Sequence, residues 1–219
     1  MPTLAESRGV LTPRQRQEIA GLATEVSYGR RVIVYRENAP EAFIFVCREG
    51  TLKSFRELPS GKRRVMTFRF PGDLFGLAED GRYVNTVQAV TPAKCYRIPI
   101  EPLRAKLRQD AELQYQVLCR VTHELREAQR RSIMLGHRSA TGRLAMFLKL
   151  LQRTLNPLVP GAIPLPMSRS DIANFLSVSL ESISRATGRL VKAGVIAFRG
   201  AHEVRVLDQR RLDELAADF

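Results

Sequence analysis

The stretch Met167–Ile196, MSRSDIANFLSVSLESISRATGRLVKAGVI, contains two short runs of helical apolar spacing separated by a polar corner. In the first, Ile172, Ala173 and Leu176 recur after Ser168, and the run stops near Ser177. The second starts at Ser179 and has Ile183, Thr187, Leu190 and Val191 as its inward set. Two such helices joined by a tight corner predict a helix-turn-helix. On the outer face of the second helix Glu181, Ser184 and Arg185 stand three and four residues apart, so they project together. These are base-reading side chains: Arg bonds guanine O6 and N7, Glu accepts from cytosine N4, and Ser bonds several base edges. The alternative reading of Glu181 and Arg185 is a first-turn carboxylate serving the helix dipole and a solvated surface cation.

After Gly194 the chain alternates as Val195-Ile196-Ala197-Phe198, turns at Arg199-Gly200-Ala201-His202, and returns as Val204-Arg205-Val206-Leu207. This predicts a β-hairpin wing whose tip carries Arg199 and His202 towards a phosphate backbone. Ser168, Arg169, Ser179, Ser182 and Arg189 are further candidates for backbone contacts, being polar or cationic at the starts and outer faces of the two helices.

Charge agrees with this reading. The 219 residues include 35 Lys+Arg against 22 Asp+Glu, a net charge of +13, which makes nucleic acid the expected partner. There is no apolar run of roughly 18 residues, no signal-peptide pattern and no lipidation motif, so a soluble cytoplasmic protein is expected rather than a membrane-bound one. The three cysteines, Cys47, Cys95 and Cys119, lack paired Cys-x-x-Cys spacing and predict reduced thiols among apolar neighbours.

From Glu25 to Pro99 short strands alternate with turn residues: Val32–Tyr35, Ala42–Arg48, Thr51–Glu57, Arg63–Phe68, Tyr83–Ala89 and Ala93–Ile98. Glu49-Gly50 and Pro59-Ser60-Gly61 read as hairpin connections and Pro71-Gly72-Asp73 as a corner, with Leu52, Val65, Phe68 and Phe70 facing inward. Residues 1–24 predict a short helical approach in which Thr12-Pro13 caps Arg14–Leu22. Between roll and helix-turn-helix, one long helix is expected over Ile100–Leu135. Its Leu118, Val121, Leu125, Ala128, Ser132 and Leu135 fall at spacings of three and four, the seam of a two-stranded coiled coil. A two-fold homodimer built on that seam would set two recognition helices about 34 Å apart over a palindrome. The fold class is α+β: an N-terminal β-roll of jelly-roll type, a long dimerisation helix and a C-terminal winged helix-turn-helix. The expected divisions are 1–24, 25–99, 100–137 and 138–219.

That order of parts resembles the Crp/Fnr superfamily of bacterial transcription regulators, over nearly all of the chain. The resemblance rests on Pro71-Gly72-Asp73-Leu74-Phe75-Gly76-Leu77 and on Met167–Leu176 leading to Leu180-Glu181-Ser182-Ile183-Ser184-Arg185, and is strongest to the FixK branch. It implies a dimeric activator of palindromes of the TTGAT-N4-ATCAA kind, whose output follows its own concentration and whose protein partner is RNA polymerase. It places the base-reading face on Glu181, Ser184 and Arg185, with Leu180 against a thymine methyl. Lys62, Arg63, Arg64 and Arg69 either touch the polymerase or solvate a hairpin.

Cyclic-nucleotide-binding relatives carry Gly-Glu-Leu followed by Arg-Ser. Here the matching positions are Gly72-Asp73-Leu74 and Tyr83-Val84, with Arg82 as a displaced substitute, so no cyclic nucleotide is expected. A [4Fe–4S] centre needs four thiolates, and residues 1–46 contain no cysteine. The three histidines, His123, His137 and His202, lie outside the roll strands and are expected to be exposed rather than haem ligands. Redox-responsive relatives carry a cysteine where this chain has Ser168. No cofactor, metal or catalytic residue is therefore expected. Neither a Gly-rich phosphate loop nor a nucleophile arrangement appears, and Glu49, Asp73, Glu79 and Asp80 read as turn charges. The roll interior is compatible with a plain core or with an unassigned small-molecule effector.

Overall fold

The computed structural model describes residues 19–137, 139–155, 161–200 and 202–217. Two antiparallel four-stranded sheets form the N-terminal part. The strands are β1 (Thr24–Tyr28), β2 (Ile33–Tyr35), β3 (Phe43–Glu49), β4 (Leu52–Glu57), β5 (Arg63–Arg69), β6 (Leu74–Phe75), β7 (Thr86–Ala89) and β8 (Ala93–Pro99). One sheet runs β1-β8-β3-β6 and the other β2-β7-β4-β5. The alternation along β3 shows how the sequence fills the fold. Phe45 and Cys47 enter the core with Leu52, Phe75, Tyr83, Val87 and Cys95. Ile44 joins a second core on the opposite face with Ile19, Ile98, Ile100, Leu103 and Leu113. Leu52, Val65, Phe68 and Phe70 are all buried, as their pattern implies. Gly50 turns the chain at φ +87°, and a Cβ there would meet the Pro92 carbonyl at 2.3 Å, so only glycine fits between β3 and β4.

The connecting region is two helices rather than one. α1 (Ile100–Leu107) ends at Arg108, and α2 (Ala111–Gly136) begins after Asp110, whose carboxylate accepts the Leu113 N–H at 2.8 Å. That cap breaks a segment whose apolar spacing runs on without interruption. α3 (Ala140–Leu155) follows, then β9 (Ala162–Pro164), α4 (Arg169–Leu176), α5 (Leu180–Lys192), β10 (Ile196–Phe198), β11 (Glu203–Val206) and α6 (Gln209–Ala217). The hairpin β10-β11 gains β9 as a third strand. By contacts the chain divides into two compact units, residues 1–57 with 66–126 and residues 58–65 with 127–219.

Other expectations are corrected. The short strands β1, β6 and β9 carry too few inward apolar residues to show as alternation. The strand expected over Tyr83–Ala89 begins only at Thr86. The expected N-terminal helix is seen over residues 19–22, and its Thr12-Pro13 start lies outside the described residues. Val191 is exposed, and Ala186 takes the inward place between Ile183 and Leu190. His137 is buried, not exposed: its ring lies where a Cβ on Gly142 would be, and Nδ1 accepts from the Ser139 N–H at 3.1 Å.

Candidate nucleic-acid interface

Serine caps build the helix-turn-helix. Ser168 Oγ accepts the Asp171 N–H at 3.1 Å at the start of α4, and Ser179 Oγ accepts the Ser182 N–H at 3.0 Å at the start of α5. Each satisfies a donor that the first turn leaves open. Between them Ser177 adopts a left-handed conformation, φ 56°, and its N–H returns to α4. Ile172, Ala173, Phe175 and Leu176 of α4 and Ile183, Ala186 and Leu190 of α5 are buried, which fixes the outer face of α5 towards solvent.

On that face Glu181 and Arg185 form an ion pair of 2.6 Å, with side chains 70 % and 74 % exposed. A carboxylate four residues before a guanidinium is the favourable order on a helix, worth about 0.3–0.5 kcal/mol in water. The pair therefore orients Arg185 at little energetic cost and leaves most of its donors to solvent. Leu180, 52 % exposed at the helix start, sits beside it, and Ser184 is exposed on the same face. Leu180, Glu181, Ser184 and Arg185 thus lie together on one exposed face of α5.

The candidate backbone contacts are more varied. Arg189 is exposed on α5, and Arg169 lies 5.8 Å from the centre of the Phe198 ring. Ser168, Ser179 and Ser182 are engaged in the caps, Ser179 and Ser182 with hydroxyls 2.8 Å apart. On the wing Arg199 is exposed, 3.9 Å from Glu203. His202 is exposed but turned to Leu165, whose carbonyl lies 3.4 Å from Nδ1. Arg143 was not anticipated. It donates to the His137 carbonyl at 2.8 Å and the Leu176 carbonyl at 3.0 Å, tying α3 to the C-terminus of α4. Its sequence context, an arginine in an amphipathic helix, carries no signal of that reach.

A Crp-like helix-turn-helix domain matches residues 142–215, and a cyclic nucleotide-binding domain matches residues 25–110. The transcriptional activatory protein AadR of Rhodopseudomonas palustris is 34 % identical over 218 residues, covering 95 % of this chain and 88 % of AadR. The chain belongs to the Crp/Fnr family. The nitrogen fixation regulation protein FixK of Azorhizobium caulinodans is 30 % identical, covering 94 % of this chain and 87 % of FixK. FixK2 from Bradyrhizobium japonicum superposes with a TM-score of 0.83 at 30 % identity, covering 89 % of this chain and 98 % of that one. As a Crp/Fnr regulator the chain is a DNA-binding transcription regulator, and its relatives are regulators rather than enzymes. Among the described residues no helix is long and apolar enough to cross a membrane.

Proposed function

We propose that this chain is a homodimeric transcription activator that reads a palindrome of the TTGAT-N4-ATCAA kind through Leu180, Glu181, Ser184 and Arg185. It does so with neither a cyclic nucleotide nor an iron–sulfur cluster. The exposed, mutually oriented Glu181–Arg185 pair at the start of α5 carries the reading. Ser168, Arg169, Ser179, Ser182, Arg189, Arg199 and His202 supply the phosphate contacts, and RNA polymerase is the protein partner. Dimerisation is supported by a row of exposed apolar side chains on α2: Tyr115, Leu118, Val121, Leu125 and Ile133. Of the expected seam, Ala128 and Leu135 are half-buried and Ser132 is exposed.

Effector independence is supported by what occupies the roll. Tyr83, at the position of the arginine in nucleotide-binding relatives, is buried and stacks on Tyr35 at 3.9 Å between ring centres. Its hydroxyl donates to the Phe43 carbonyl at 2.8 Å. Phe45 and Phe75 stack beside it at 5.4 Å. Asp73, in place of the ribose-binding glutamate, accepts the Phe70 N–H at 2.9 Å and faces Arg120 at 3.5 Å. Arg82 donates to the Asn38 carbonyl at 2.8 Å. These side chains do not fit a cyclic nucleotide, because its phosphate and ribose partners are committed elsewhere and aromatic rings fill the interior.

The test is titration of the purified protein against a fluorescent TTGAT-N4-ATCAA duplex and a scrambled control, in air and under anaerobic conditions, with and without cyclic AMP. Tight, specific binding in both atmospheres, unmoved by cyclic AMP, is expected. Binding in only one atmosphere, or only after a cell extract is added, overturns the effector-independent reading.

A further inference from the structure

Cys47 and Cys95 are direct cross-strand partners on β3 and β8, and both are buried. The Cys47 N–H donates to the Asp73 carbonyl at 2.9 Å and its carbonyl accepts the Gly72 N–H at 2.8 Å, so its backbone bonds point away from β8. Towards Cys95 it therefore occupies a non-hydrogen-bonded site. At such sites the Cα atoms lie about 4.5 Å apart and the side chains are closest. That spacing falls within the range a disulfide spans, roughly 4.4–6.8 Å.

We propose that Cys47 and Cys95 are a cross-strand dithiol that a hydroperoxide oxidises to an intramolecular disulfide, giving the roll a two-electron redox site. One thiol is oxidised by hydrogen peroxide to a sulfenic acid with release of water. The second thiol attacks that sulfur, the S–S bond forms, and a second water leaves. Two thiols and one peroxide thus give one disulfide and two waters. The Cys47 thiol lies 3.6 Å and 3.7 Å from the Glu49 and Gly50 carbonyls, beside the irregularity between Cys47 and Glu49 where the β3-β8 register shifts. The neighbouring Cys95 thiol and burial push the Cys47 thiol above its usual range, which makes the site slow to oxidise.

The test exposes the reduced full-length protein, with Cys119→Ser introduced to remove the half-buried helix thiol, to hydrogen peroxide. It is then unfolded, alkylated and digested without reductant for mass spectrometry. The expected result is loss of both thiols and a Cys47–Cys95 linked peptide from a single chain, which dithiothreitol abolishes. Two alkylated thiols after prolonged exposure, or separate sulfinic acids without the linked peptide, overturn the proposal. The readout needs no cysteine variant in the core, so a folding defect cannot imitate either outcome.

Discussion

Arg185 is held by Glu181 but not consumed by it, and on the proposed reading it contributes to specific rather than general binding. Arg185→Ala should lower affinity for the palindrome by about 1–3 kcal/mol while leaving scrambled DNA nearly unaffected, measured by parallel titrations. An equal loss on both duplexes would make Arg185 a phosphate contact. Asp73 offers a second test. Burial is the largest influence on its carboxyl and raises it above the usual range, opposed by the Phe70 N–H and by Arg69 and Arg120. A carboxyl that keeps its proton longer in the folded state favours folding in acid, and that contribution fades as pH rises through the folded value. The unfolding midpoint of Asp73→Asn relative to the parent should therefore increase as pH rises above about 4, the value of a free aspartate. A pH-independent difference would contradict the burial argument. Arg69 itself, expected on an exposed basic surface, is instead mostly buried against Glu124.

At the scale of elements, α4 and α5 were legible because each begins with a capping serine and keeps one apolar face. Their inward set gained Phe175 on α4 and exchanged Val191 for Ala186 on α5. The break before α2 was not legible, because Leu107 and Leu113 continue the apolar pattern across it and only the Asp110 cap interrupts it. His137 was misread for a similar reason: its burial depends on the missing side chain of Gly142, beyond the turn into α3. Strand β6 is two residues within a motif that reads as a corner. The row on α2 gives the element its own prediction. Leu118 and Leu125 are 60 % and 58 % exposed in a single chain. Changing both to Asp should yield monomers in sedimentation together with weak operator binding. An unchanged dimer mass would place the interface elsewhere.

For the whole molecule, the charge of +13 makes salt the governing variable. If the dimer neutralises about six to ten phosphates, affinity should fall by roughly 10³–10⁵ between 50 and 200 mM salt. A shallow slope would mean that few of the arginines and lysines reach the backbone. Such a slope leaves the base-reading face intact, so the ratio of specific to scrambled binding should change far less than either affinity alone.

If the apolar row on α2 joins two chains as proposed, it also shapes how a cell would feel changes in synthesis of this regulator. Where two chains must meet before either binds its operator firmly, occupancy at low abundance climbs with the square of the amount made. A doubling of expression then raises promoter occupancy about fourfold. In the proposed dimer, Leu118 and its neighbours would act as a threshold, muting leaky transcription and sharpening the response once production begins.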